Sequence, residues 1–276
     1  MSSADSSREL AALLKTLRAE YAGAVSSTCA QPGTAAPSGA CGACSFDPGE
    51  PLLGCFVKSF LLWESTTPKA LQAMKRMEAA LVDLNELRTC MPDEILRLLG
   101  ERYPRGAERS LRLRTALNVI YSREHRVTLE PLAGMSPQEA RERLDRIEGV
   151  PAFVSARVCL VGLAHHAAPV DSRIHRRLIE AKVAPADSTC ESAAVILEKK
   201  TRAGELPETY ALLQAWADDA TYPAVESHLS DLRPVHKPVA EHIRREQEAN
   251  RKAARKAKRS AGALRKKKPG RSPKRR

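Results

Sequence analysis

The sequence predicts an all-α fold carrying a basic C-terminal tail, and three observations point there. Apolar residues recur at helical spacing through most of the chain before about residue 220. The period-two alternation of a half-buried strand is found nowhere. Ser-x-x-Glu patterns, the signature of a helix start in which side chain and backbone cap each other, stand ahead of two of the apolar runs.

In chain order, residues 7–21 put Leu10, Leu13, Leu14, Leu17 and Tyr21 on one helical face. Residues 25–50 are rich in Ser, Thr, Gly, Pro and Ala and read as an insert loop. PLLGCFVKSFLLW, residues 51–63, is apolar nearly all round, which marks a central buried helix. Thr67-Pro68 opens another helix to about Val82, with Leu71, Met74 and Met77 inward. A short helix runs from Pro92 to Gly100. The next, near residues 107–121, sets Arg109, Arg112 and Arg114 as a basic face against Leu111, Leu113, Leu117 and Ile120.

Residues 136–178 hold the most organised stretch. Ser136 and Glu139 form a capping box around Pro137, which suits the first helical position. Ala140, Leu144 and Ile147 follow on one face, and Glu148-Gly149-Val150-Pro151 ends the helix in a tight hairpin. A second helix carries Val154, Val158 and Val161. A loop over His165–Pro169 leads to Asp171, at the mouth of a third helix with Ile174 and Leu178. Ser188-x-x-Glu191 predicts a second capping box, and helices to about Ala220 close the core. The expected organisation is an N-terminal helix packed on the core (1–24), the insert (25–50), the helical core (51–222) and the tail (223–276).

Charge separates tail from core. The chain has a net charge of +12; residues 233–276 hold 18 Lys and Arg against 3 Glu, a net +15, which leaves −3 for the residues before. A tail ending KKKPGRSPKRR has almost nothing apolar to bury or insert, so it is expected to be disordered when unbound and to seek a nucleic acid rather than a membrane. No apolar run reaches the length of a membrane span, and no basic-then-apolar signal opens the chain. Seven cysteines, several within helical patterns, fit a reducing intracellular compartment. Cys29, Cys41, Cys44 and Cys55 offer four thiolates for zinc, but the run between Cys29 and Cys41 is long and Cys55 sits in the buried helix. Incidental thiols are the simpler reading. The His165-His166 pair is either a solvated loop or a group facing the partner. Asp171 is by composition a plain helix N-cap before it is anything else.

Residues 147–178, IEGVPAFVSARVCLVGLAHHAAPVDSRIHRRL, resemble the signature of the helix-hairpin-helix DNA glycosylase superfamily, of which endonuclease III is a member. Gly149-Val150 matches the hairpin, and Val170-Asp171-Ser172 with Ile174 matches the segment that opens the later helix, without a gap between. FVKSFLLWESTTPKALQAM resembles the early buried helix and the turn after it. The resemblance implies a two-lobed helical core that holds double-stranded DNA as a monomer, close to the chromosome in nucleoid or nucleus, with base excision repair as the expected setting. It makes Asp171 the catalytic residue and assigns DNA contact to Gly149, Val150, Ala152, Glu64 and Arg173, with Lys266, Lys267 and Lys268 of the tail added.

Several positions depart from the family pattern. Phe153 stands where the amine nucleophile would be, so a Schiff-base lyase step is excluded, and any excision would use Asp171 and water alone. Pro151 replaces a hairpin glycine and has no N–H to donate. Glu64 occupies the place of a Gln that enters the duplex. No Cys follows Cys190, so no iron–sulfur cluster is expected. Two expectations stand side by side: a single-function N-glycosylase, or a DNA-binding protein that kept the fold and lost the chemistry.

Overall fold

The computed structural model describes residues 3–23, 50–100 and 102–220, and all of its regular elements are helical. The insert 25–49 with Cys29, Cys41 and Cys44, and the tail with Lys266, Lys267 and Lys268, lie outside the described residues. In order come α1 (Ser3–Glu20), α2 (Pro51–Leu62), α3 (Thr67–Ala80), α4 (Leu84–Thr89), α5 (Pro92–Leu99) and α6 (Gly106–Glu124). A 3-10 turn (Glu130–Gly134), α7 (Pro137–Asp145) and α8 (Ala152–Arg157) follow. α8 runs on into a π-turn (Val158–Gly162), and α9 (Ser172–Glu180), α10 (Cys190–Lys200) and α11 (Leu206–Asp218) complete the order.

α2 is the hub. Its almost wholly apolar sequence buries Leu52, Leu53, Phe56, Val57, Phe60 and Leu61, and it packs against α3, α6, α8 and the π-turn. α3 packs on α5, and α6 on α4 and α5, while α11 packs on α1, α3, α9 and the π-turn. Arg18 of α1 pairs with Glu208 at 2.8 Å, and the Tyr21 hydroxyl donates to Asp219 at 2.7 Å, which ties the first helix to the last.

In the scaffold the sequence-based expectations fail at Leu71, at Ser188 and on α6. Leu71 is exposed, because the buried face of α3 is Ala70, Ala73, Met74 and Met77, and Leu71 lies one residue off it. The start of α10 is capped by Thr189, not Ser188: Thr189 Oγ1 accepts from Ser192 N at 3.1 Å, and Ser192 Oγ accepts from Thr189 N at 2.8 Å. Ser188 instead donates to Pro185 O and meets His175 Nε2.

The largest departure is on α6. Arg109 and Arg112 form no solvated face; they are 0% and 2% exposed. α6 packs against α2, α4 and α5, so it has little side left for water. Arg109 uses its guanidinium to cap the C-terminal end of α2, donating to Phe60 O, Trp63 O and Pro104 O. Carbonyls left over at a helix end suit a cation on both hydrogen-bonding and dipole grounds. Burial lowers the Arg109 pKa to about 10, still charged at neutral pH.

Candidate functional site

Asp171 ends a buried extended segment and caps α9, as its sequence context predicts. Its Oδ1 accepts from Arg173 N at 3.1 Å and Ile174 N at 2.9 Å. Its Oδ2 accepts from the backbone N–H of Glu64 at 3.1 Å, so the turn after α2 is fastened to the mouth of α9. Glu64 returns the contact. Its carboxylate takes Ser172 N at 2.9 Å and the Ser172 hydroxyl. The first three N–H groups of α9 are thus all satisfied by two side-chain carboxylates, and Asp171 is only 2% exposed.

Two buried arginines hold this turn. Glu64 has φ +53°, a left-handed conformation that costs a non-glycine residue about 1–2 kcal/mol. Arg109 grips the turn from one side through Trp63 O, and Arg173 from the other through Ser65 O. Arg173 was expected at the DNA surface; instead its guanidinium points inward, donating also to Ala217 O at 2.6 Å and to Asp218 at 2.9 Å. Asp218 in turn accepts from Thr67 N and from Gln214. Gln214 accepts from the Tyr210 hydroxyl, Tyr210 from Arg157 at 3.0 Å, and Arg157 also reaches Ser59 at 2.9 Å. A continuous polar network therefore joins α2, α8, α11 and α9 through the core.

Phe153, which the resemblance set at the place of an amine, is 3% exposed, and its ring lies 6.4 Å from that of Tyr210, centroid to centroid. A pocket lined by Ile120, Leu129, Leu132 and Ile147 lies between the end of α6 and α7; none of the residues at the α9 mouth lines it. Cys55 is buried on α2. His166 meets Glu198 O of α10 at 2.8 Å, and His165 N donates to Cys159 O as the π-turn ends.

The hairpin is a separate surface. Val150 N donates to Ile147 O at 3.2 Å, which closes the turn and uses the donor that Val150 was expected to offer DNA. Gly149 has φ +87°, and Arg112 Nη1 donates to its carbonyl at 3.3 Å. α8 begins after Pro151 with no side-chain cap, and Pro151 and Ala152 are half-buried. Val154 N donates back to Pro151 O at 2.9 Å, so the donors that remain at this helix start are the N–H groups of Ala152 and Phe153.

Burial, and after it the nearby Glu64 carboxylate, push Asp171 up to about 7, against Arg173 and two backbone N–H groups. An unfolded Asp titrates near ~3.9. Between these values the folded chain holds a proton that the unfolded chain has released. The group's contribution is fully present below about pH 4 and is lost as pH rises through about 7. His165 and His175, pushed down by burial, act in the opposite sense. Asp171→Asn removes only the first of these effects. Urea unfolding of both proteins at pH 5 and pH 8 is expected to show the variant's deficit shrinking as pH rises. A deficit that grows towards pH 8 would count against the pairing.

No protein-family model and no curated protein matches this sequence. Solved structures do match. A trapped covalent endonuclease III–DNA intermediate superposes with a TM-score of 0.56 at 11% identity, covering 86% of this chain and 98% of that one. A non-covalent endonuclease III–DNA complex gives 0.55 at 12% identity over the same shares. A thermostable thymine-DNA glycosylase gives 0.50 at 13%, covering 78% of this chain and 89% of its own. Hairpin, capped Asp171 helix and superposition over 78–86% of the chain agree, and the chain has the helix-hairpin-helix DNA glycosylase fold.

Proposed function

We propose that this protein grips duplex DNA with its 149–153 hairpin and leaves the bases in place. The observation that carries this is the contrast between two helix starts. The start of α8 has no side-chain cap, so its N–H groups suit a phosphate oxygen. The start of α9 is closed by two carboxylates. A phosphate brought near them meets like charge, worth roughly 1 kcal/mol at 4 Å in water and about 4 kcal/mol at a partly buried surface. Asp171 already accepts from three backbone N–H groups and is 2% exposed, which leaves one lone pair on Oδ2 and little access for an incoming water. Phe153 packs on α11 where an excision site would need space.

The tail extends the grip. Lys266, Lys267 and Lys268 supply sequence-independent phosphate contacts that raise the local DNA concentration and release counterions. The protein would act as a monomer at the chromosome, without a cofactor. A second reading is favoured by one observation: the Glu64 carboxylate beside Asp171 helps to raise its pKa. A carboxyl near 7 suits proton transfer at neutral pH, as a single-function N-glycosylase using Asp171 and water would need.

The full chain is expected to bind a labelled duplex with a steep loss of affinity as salt rises, and deletion of residues 244–276 to weaken it markedly. Incubated with duplexes carrying damaged and mismatched bases, it is expected to release none. Base release that disappears in Asp171→Asn would establish the glycosylase instead. Absence of duplex binding at low salt would sink both.

A further inference from the structure

We propose that Arg112 is a positioning residue for the hairpin's DNA contact, setting the tilt of the 149–153 turn from beneath. The inference rests on the hairpin's role in gripping duplex DNA. Arg112 itself is buried and has no route to a phosphate. It acts through Gly149, and by two contacts of different kinds.

The first contact is backbone on backbone. A Cβ placed on Gly149 would stand 2.9 Å from Arg112 O and 3.3 Å from Arg112 Cα. The turn therefore rests directly on the main chain of α6, which fixes its height. The second contact is the hydrogen bond from Arg112 Nη1 to Gly149 O at 3.3 Å. It turns that carbonyl inward and fixes the rotation of the peptide about the resting point. The Gly149 carbonyl and the Val150 N–H are both committed within the turn and Val154 N donates to Pro151 O, so the donors that remain at the start of α8 are the N–H groups of Ala152 and Phe153.

The guanidinium has its own scaffold. Its Nε donates to Glu108 at 2.8 Å, Glu108 also pairs with Arg105 at 3.3 Å, and the guanidinium lies 5.2 Å from the Trp63 ring centroid. A planar fork held by a carboxylate on one edge and an indole face is rigid, which a positioning group requires. α6 thereby carries both supports of the interface. Arg112 sets the hairpin, and Arg109, one turn earlier, sets the Glu64 turn.

The test compares full-length wild type, Arg112→Met, Arg112→Lys and Arg97→Met for binding to one short duplex over a range of salt. Arg97 is an exposed arginine on α5, so its variant controls for loss of one positive charge. Arg112→Met is expected to lose about tenfold in affinity and to show a shallower salt dependence, by roughly one phosphate contact. Arg112→Lys, which keeps a donor within reach of Gly149 O, is expected to recover most of both, and Arg97→Met to stay within about twofold of wild type. A merely structural role would lower melting temperature without changing the salt slope of the folded protein. Arg112→Met binding like wild type overturns the inference while leaving the hairpin's role intact; a wild type that does not bind overturns both. Should Arg112→Met prove unfolded by circular dichroism, a folded Arg112→Gln takes its place: a shallower slope than wild type supports the positioning role and a wild-type slope overturns it.

Discussion

Arg173→Ala is expected to be among the most damaging single substitutions in the core. The side chain is 8% exposed, and its guanidinium serves Ser65 O, Ala217 O and Asp218. Truncation strands two carbonyls and leaves the Asp218 carboxylate, 13% exposed, without its cation. Removing one partner of a buried pair costs about 3–5 kcal/mol. Set against a total stability of roughly 5–15 kcal/mol for a folded domain, that is a large fraction. For a domain of this size it corresponds to a fall in Tm of roughly 6–20 °C. Arg173→Lys keeps the charge but not the fork, and should recover only part of the loss. Because Arg173 faces inward, the folded fraction of either variant should bind duplex DNA as wild type does. A full-strength Tm combined with weakened DNA binding would place Arg173 at the surface after all.

The second large effect is expected at Gly149. At φ +87° an L-residue is strained by about 1–2 kcal/mol, and here the added Cβ also meets Arg112 O at 2.9 Å. The obstacle is backbone, so no side-chain rotation relieves it. Gly149→Ala should therefore cost about 2–4 kcal/mol, or lift the hairpin off α6 to avoid the cost. Either outcome is measurable, the first by urea unfolding and the second as lost duplex affinity in a protein that still melts cooperatively. Gly134→Ala and Gly204→Ala, with nothing within 4 Å of the new Cβ, provide the contrast and should be close to neutral. Equal effects at all three positions would show that close packing at Gly149 is not the cause.

Local rules made much of the fold legible. The Ser136 capping box is formed, with Glu139 Oε2 accepting from Ser136 N at 3.0 Å. The all-round apolar run of α2 is the hub of the core. Asp171 is legible as an N-cap because a carboxylate one residue before a helix takes the first N–H groups locally, whatever else it holds. Even Arg109 left a trace, since 109, 113, 116 and 120 fall on one stripe of α6 whose other members are buried apolar residues. An arginine on such a stripe announces that its charge has a partner inside, though spacing cannot name it.

The sequence by itself therefore determined the helical class, most helix starts, the hairpin at Gly149 and the cap at Asp171. These depend on chemistry within about four residues of chain. Tertiary structure alone decided which way the charged groups point. Glu64 and Asp171 are 107 residues apart and meet through a single backbone N–H. Arg173 finds Asp218, and Arg112 finds Gly149, only once helices distant in sequence have packed. A buried charge must be paired wherever the fold can supply a partner, and that requirement is set by burial, which one-dimensional periodicity does not measure. The start of α8 lacks a side-chain cap while the Asp171 helix is closed for one physical reason: one helix start has carboxylates within reach and the other has none capping it.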